Sequence, residues 1–312
     1  MSAFNRLMRT VLLWMARNAW LQANLPKLFF MRRAVRKFMP GETLASALDA
    51  SRPLRDAGIA TIYTRLGENL TAIDEADEVA DHYVEVLDAI LERGLAGEIS
   101  VKPTQLGLDL DEERTFQHLV RLAEHATSTG SFLWIDMEGS AYTEATVRLY
   151  ERLRALQPRT GICLQAYLKR TASDIERLLP LDPAIRLVKG AYDEPAAIAY
   201  RAKRQVDASY LSLAVRFLTA GRGRPIRLGL GTHDVELVEQ IAAAVEASGI
   251  DHAGYEIEML YGIRSKEQRR LVGAGFRVAT LIAYGEHWYP WYMRRLAERP
   301  ANVTFALRSL LP

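Results

Sequence analysis

The sequence predicts an α/β fold, a (βα)8 barrel preceded by an N-terminal helical arm, and three observations predict it. From about residue 60, short β-rich runs alternate eight times with longer amphipathic stretches. No Gly-x-Gly-x-x-Gly follows the first run, so an open dinucleotide-binding sheet lacks its fingerprint. Polar residues stand at the C-terminal ends of most runs, where a barrel gathers its site. A chain of 312 residues with 49% apolar side chains is long enough for one such barrel.

Residues 1–55 read as the arm and 56–312 as the barrel, with no Pro/Gly/Ser linker between two further domains. In the arm, Thr10–Arg17 is apolar and follows Arg6 and Arg9, as in a signal peptide. Arg17 interrupts the run early and no clean cleavage site follows. The run is also far short of the ~20 apolar residues that cross a bilayer. Trp14, Trp20, Leu21, Leu25, Phe29, Phe30 and Met31 are interleaved with Arg and Lys. That pattern suits a helical arm packed on the main domain, or a basic amphipathic segment lying on a membrane surface.

The β-rich runs are Thr61–Leu66, Ile99–Val101, Phe132–Ile135, Ile162–Leu164, Ile185–Val188, Ile226–Leu230, Tyr255–Ile257 and Arg277–Ile282. Between them lie seven amphipathic stretches: Asp74–Glu92, Asp111–Ala126, Thr143–Leu156, Ser173–Leu179, Asp207–Leu218, Val235–Ala247 and Ser265–Val272. Ser173 with Glu176 three residues on reads as a capping box. His118 and His125, seven apart on one predicted helix, read as surface residues.

Composition excludes several function classes. A formal net charge of +2 does not point to nucleic acid. The single cysteine, Cys163, leaves no internal disulfide and no cysteine cluster, and fits a reducing, cytoplasmic setting. No His/Asp/Glu grouping has metal-ligand spacing, and there is no Gly-x-Ser-x-Gly nucleophile elbow.

Taken in order, the strand ends carry Lys102, Asp136, Gln165, Lys189, His233 and Glu258, and the last predicted helix carries Arg294, Arg295 and Glu298. Arg186 lies within the fifth run. A barrel brings these together, and so cationic a set expects an anionic ligand. Paired arginines suit a carboxylate, which they grip with a planar fork of donors. Glu298 lies on nearly the same helical face and can hold them. Singly, each residue has a plainer reading. Arg-Arg-x-x-Glu is often a solvated face, and His233 alone a capping histidine. Lys102 or Lys189 alone is either an anion binder or the Schiff-base lysine of a flavin-free lyase or aldolase.

The ordered set resembles the proline dehydrogenase family, in particular its short monofunctional bacterial members. The likeness runs over nearly the whole chain. It starts near Arg36-Lys-Phe-Met-Pro-Gly-Glu42 and includes Ser100-Val-Lys-Pro-Thr-Gln-Leu-Gly-Leu-Asp-Leu110 and Ile135-Asp-Met-Glu-Gly-Ser-Ala-Tyr-Thr-Glu144. It continues through Gln165-Ala-Tyr-Leu168, Arg186-Leu-Val-Lys-Gly-Ala-Tyr192, Thr232-His233 and Met259-Leu-Tyr-Gly-Ile263. It closes with Trp288-Tyr-Pro290 and Arg294 through Asn302.

The resemblance implies a distorted TIM-like barrel holding FAD non-covalently, with the last helix over the mouth. It implies oxidation of L-proline to 1-pyrroline-5-carboxylate and transfer of electrons to a quinone at the membrane, with a docking role for the arm. Lys102, Arg294 and Arg295 would bind the substrate carboxylate, with Glu298 beside them. Asp136 and Arg186 match positions the family treats as catalytic. Met137, Gln165, Lys189, Gly190, Ala191, Thr232 and His233 match its flavin contacts. Clamping the carboxylate fixes the carbon against the flavin. The same positive charges lower the pKa of the substrate amine. Arg186 can stabilise negative charge on reduced flavin.

The chain departs from the family pattern near the expected ring pocket. Leu281 stands for a tyrosine, Trp291 for a tyrosine, Glu258 for a common glutamine, Pro103 for a leucine and Gly231 for an alanine. Leu281, Trp291 and Leu260 are expected to wall the substrate ring. The alternative substrate is therefore a substituted proline or another small cyclic amino acid.

Overall fold

Four helices lead into the barrel: α1 (Ala3–Arg17), α2 (Ala19–Asn24), α3 (Phe29–Val35) and α4 (Leu44–Arg55). The strands are β1 (Ala60–Arg65), β2 (Gly97–Val101), β3 (Leu133–Ile135), β4 (Thr160–Gln165), β5 (Ala184–Val188), β6 (Arg227–Gly231), β7 (Glu256–Leu260) and β8 (Arg277–Tyr284). After the first seven come α5 (Ile73–Glu92), α6 (Glu112–Ser128), α7 (Thr143–Leu156), α8 (Thr171–Leu178), α9 (Lys203–Ala220), α10 (Val235–Glu246) and α11 (Ser265–Gly273). After β8 comes α12 (Trp288–Glu298). This computed structural model describes residues 3–67 and 70–298, and side chains only at residues 8, 10–67 and 70–297.

All neighbouring strands are parallel, in chain order, and β1 pairs with β8 to close the barrel. The eight β-rich runs thus become the eight strands, with ends moved by at most a few residues. The helices follow their periodicity: α5 buries Ala76, Ala80, Tyr83, Val86, Leu87 and Ile90 at three- and four-residue spacing. At the start of α6, the Asp111 carboxylate accepts from the amides of Glu113 and Arg114 at 2.9 Å.

Two local expectations are corrected. There is no capping box at Ser173: α8 starts two residues earlier, at Thr171, and the Ser173 hydroxyl donates to the Arg170 carbonyl. Thr171 Oγ1 donates to the Gln165 carbonyl at 2.5 Å, which ties the start of α8 to the end of β4. His118 is not a surface residue. Seven residues are two helical turns, so His118 and His125 share the face of α6 that meets α5. There His118 is buried 3.0 Å from Asp77, and His125 bonds Asp88 at 2.7 Å.

The main core lies between strands and surrounding helices, and Ala47 and Leu48 of α4 enter it. A second apolar cluster joins the arm to α12. Leu12 and Ala16 of α1 pack with Trp288, Trp291, Tyr292 and Leu296. The 36–42 segment completes this seam: Trp288 Nε1 donates to Glu42 at 2.9 Å, and the rings of Phe38 and Tyr292 lie 6.0 Å apart. Gly262, at φ +73°, lies so close to the Lys37 carbonyl that any Cβ would overlap it.

Inside the barrel, side chains alternate with period two. Ile62, Trp134, Ala184 and Ala279 form a small apolar interior cluster. Barrel interiors are usually filled by branched apolar layers, but here charges share the space. Near the N-terminal ends of the strands, Arg227 bonds Glu98 at 2.7 Å and Glu256 at 2.9 Å. The Trp134 indole donates to Glu98 at 2.7 Å. Its ring lies 4.6 Å from the Arg186 guanidinium and 5.0 Å from that of Arg227, favourable cation–π spacings. Gly161 on β4 leaves room for that indole, because a Cβ there would overlap it. Gly161→Ala is expected to destabilise the fold by about 1–3 kcal/mol through overpacking. Urea unfolding should show a lower midpoint with an unchanged m-value.

Candidate active site

Above the Arg227 cluster stands a second charged group. Arg186, the third residue of β5, is buried and directed between β7 and β2. Its Nε pairs closely with Glu258 of β7. Its Nη1 donates to Ser100 Oγ at 2.8 Å and to Asp136 Oδ1 at 3.1 Å, while Ser100 donates to Asp136 at 2.8 Å. Its Nη2 is buried with no hydrogen-bond acceptor among the described residues. Gly229 makes the space for Glu258, since a Cβ on β6 at that point would overlap the carboxylate.

The electrostatics follow from two carboxylates sharing one guanidinium. Burial opposes the charge on Arg186, but Glu258 and then Asp136 outweigh it, so its pKa is raised. Burial pushes Glu258 up to about 7; Arg186 pulls it down, and Glu256 pushes it further up.

Strand parity carries this inward face to the mouth. Lys102, two residues beyond Ser100, is half-buried at the start of the 3-10 turn Pro103–Leu106. Leu260, two beyond Glu258, pairs in register with Leu281 of β8, and Leu281 packs on the interior apolar cluster. Met137 is buried beside Asp136. Gln165, at the end of β4, donates to the Glu138 carbonyl at 2.7 Å. Lys189, just past β5, bonds Asp207 at 2.6 Å and Asp234 at 2.8 Å. Burial opposes ionisation of both aspartates, but the bonds to Lys189 outweigh it and lower their pKa values. Thr232 is buried, and its hydroxyl accepts from the Asp234 amide at 3.2 Å. His233 is half-buried next to it. Gly190 has φ +108° and lies flat against the Tyr167 ring, where a Cβ would overlap.

Beside the mouth, between the arm, the β5–α9 loop and α12, lies a cavity of about 410 Å³. Ala191, Trp291 and Arg294 line it, together with Leu13 and Arg17 of α1. Lys102, Asp136, Leu260 and Leu281 are not part of its lining. Arg295 is half-buried on α12, and the side chain of Glu298 lies outside the described residues.

Sequence reasoning missed the role of Ser100, the anchoring of Lys189 by Asp207 and Asp234, and the bonds from Thr104 to Glu138 at 2.7 and 3.1 Å. It placed Glu258 among the strand-end charges and noted it as a departure from the family pattern, but did not pair it with Arg186. The available signal was Glu256-Ile-Glu258, two acids at strand spacing in a run predicted to lie inside a barrel.

A family model described as proline dehydrogenase matches residues 47–308. The chain belongs to the proline dehydrogenase family. It is 35% identical over 305 residues to proline dehydrogenase 1 of Bacillus subtilis subsp. natto, covering 98% of this chain and 99% of that protein. It is 34% identical over 280 residues to the proline dehydrogenase of Deinococcus radiodurans, covering 88% and 89%. Among solved structures it is similar to proline utilization A (PutA) from Bdellovibrio bacteriovorus inactivated by N-propargylglycine. That match has a TM-score of 0.78 at 20% identity, over 92% of this chain and 38% of that one. A Bradyrhizobium japonicum PutA variant aligns with a TM-score of 0.72 at 21% identity, over 89% and 32%. The chain therefore spans about a third of the length of those larger structures, and the likeness is one of fold. Membership makes the chain an oxidoreductase of monofunctional bacterial type.

Glu258 gives the fold a pH dependence of definite sign. Its folded pKa of about 7 is above that of an unfolded glutamate, near ~4.3. Between those values the folded state holds a proton that the unfolded state does not. Unfolding free energy therefore falls as pH rises through that window. Urea titrations at pH 5 and pH 7.5 should show a smaller loss of stability with rising pH in Glu258→Gln than in the wild type.

Proposed function

We propose that this protein oxidises L-proline to 1-pyrroline-5-carboxylate with FAD as bound cofactor and a quinone as electron acceptor. The observation that carries the reading is Arg186: a guanidinium anchored on two carboxylates inside the barrel, with one buried donor unspent. A buried donor left without an acceptor is costly, by about 1–3 kcal/mol, so a polar ligand there is favoured. The donor set suits a flavin, whose ring oxygens and nitrogens accept hydrogen bonds of the kind Arg186 Nη2 can donate. Gly190 and Gly231 serve internal packing, since a Cβ would meet the Tyr167 ring at 2.2 Å and Val188 at 2.7 Å.

When bound, FAD supplies the two-electron acceptor for the C–H bond beside the ring nitrogen. Met137, Gln165, Lys189, Gly190, Ala191, Thr232 and His233 would hold it, with Lys189 steadied by Asp207 and Asp234. Lys102, Arg294 and Arg295 would bind the substrate carboxylate, orient the ring and lower the pKa of its nitrogen, with Glu298 steadying the arginines. Asp136 holds Arg186 in place. Leu260, Leu281 and Trp291 would wall the ring.

Leu281 favours a second reading, a substituted proline or another small cyclic amino acid, because an apolar side chain replaces the family's hydroxyl there. Membership of an oxidoreductase family tells against the Schiff-base lyase reading, and Lys189, one of its two candidate lysines beside Lys102, is committed to two carboxylates.

Anaerobic bleaching of the flavin decides among these. L-Proline is expected to bleach it fastest by a wide margin. Faster bleaching by hydroxyproline or pipecolate transfers the assignment to the second reading. A colourless protein that borohydride traps with its substrate defeats both. Arg294→Lys keeps the charge but loses the fork; kcat/KM for proline should fall about 10–100-fold, the equivalent of ~1.5–3 kcal/mol for a charge-assisted bond.

The arm, residues 1–55, is proposed to rest on an anionic membrane surface where quinones reside, with residues 56–312 as the catalytic barrel. No acidic residue precedes Glu42, while Lys and Arg recur throughout. Trp14, Trp20 and Phe29 are 60%, 69% and 77% exposed. Among the described residues no helix is long and apolar enough to cross a membrane, which agrees with a surface contact. Sedimentation with anionic vesicles should be lost in the Trp14→Ser, Trp20→Ser, Phe29→Ser triple variant and weakened by salt. Binding unchanged in that variant rules the arm out.

A further inference from the structure

The Arg186 group holds more negative than positive charge when fully ionised. One guanidinium faces two carboxylates, Asp136 and Glu258, in a buried space. Negative charge arriving beside Arg186 would meet a site that is already net anionic. Glu258 is the member built to relieve this. Its side chain is only 3% exposed, against 20% for Asp136. Ser100 donates to Asp136, whereas Glu258 Oε1 has no hydrogen-bond partner among the described residues.

We propose that Glu258 is a positioning residue for Arg186 that also takes up one proton when negative charge enters beside that arginine. As a positioning residue it holds Nε and leaves Nη2 for the ligand. As a proton acceptor it keeps the pocket from accumulating charge. This rests on the flavin reading above, in which Arg186 faces the cofactor on reduction.

The charged and titratable groups around Glu258 agree with this choice. Arg186 from β5 and Arg227 from β6 favour its anion; Glu256 on its own strand and Glu98 from β2 oppose it. Asp136 after β3 shares the same guanidinium, while Cys163 on β4 and Tyr210 on α9 are each pushed upward, foremost by burial, and stay neutral near pH 7. Burial is the largest influence on Glu258 and holds it poised near neutrality. The balance is simple: two electrons from the reductant and one proton reach the flavin, and a second proton from solvent reaches the Glu258 carboxylate.

The test is the flavin midpoint potential of the FAD-loaded enzyme measured against pH with reference dyes. Below about pH 7 Glu258 is already protonated, so reduction takes about half a proton per electron. Above that pH the wild type should take about one, and the pH slope should roughly double. Titration of the flavin itself bends the line the other way, becoming shallower as pH rises. Glu258→Gln keeps an acceptor for Arg186 Nε and carries the residue common in the family; its slope should stay shallow throughout. A wild-type slope that does not steepen, or steepening that persists in Glu258→Gln, overturns the proposal. Should Glu258→Gln lose flavin, reduced-minus-oxidised infrared spectra of the wild type above pH 7 take its place. A new protonated-carboxyl band supports the proposal and its absence overturns it. Purified protein that binds no flavin defeats the cofactor reading instead, which is a separate outcome.

Discussion

A guanidinium sealed inside a barrel must be matched by charge, and the interior of this protein is organised around that requirement. Leaving Arg186 without its carboxylates would strand a buried charge, one of the most destabilising events a fold can suffer. Glu258, Asp136 and Ser100 therefore have to reach it from β7, β3 and β2 at once. Only a closed sheet brings those strands around one axis. Gly229 and Gly161, which look like gaps in two strands, are the spaces that Glu258 and Trp134 occupy. The Trp134 ring between Arg186 and Arg227 links this group to the lower pairings with Glu98 and Glu256.

The mouth is assembled differently. Lys102, Asp136, Gln165 and Lys189 are fixed by the strands that precede them. Trp291, Arg294 and Arg295 ride on α12, a helix held from outside by α1 and the 36–42 segment. The site thus has a rigid floor and a wall that depends on a separate apolar cluster. This division gives the 36–42 motif a structural place: Phe38 and Glu42 grip α12, and the Lys37 carbonyl passes over Gly262.

Much of this was legible in the sequence because its signals are local. Strand runs and amphipathic helices depend on spacing within a few residues, and all eight strands emerged in short runs of β-branched, aliphatic and aromatic residues. The carboxylate partners were not legible for the opposite reason. Asp207 and Asp234 reach Lys189 from a later helix and a later loop, and Glu258 meets Arg186 across the barrel. His118 was misread because its helix carries a second contact face, against α5, that composition does not distinguish from solvent. At Ser173 a plausible cap was displaced because Thr171, bonded to β4, sets the start of the helix.

The seam between α1 and α12 joins the first helix of the chain to the last one described, and β1 to β8 joins the first strand to the last. Both closures wait until the whole barrel has been synthesised, so this fold is dominated by contacts distant in sequence and should form slowly. Until then the aromatic arm has nothing of its own to cover it. A fusion partner or truncation at the front of the chain would therefore act on the arginine-bearing helix α12, at the other end of the sequence.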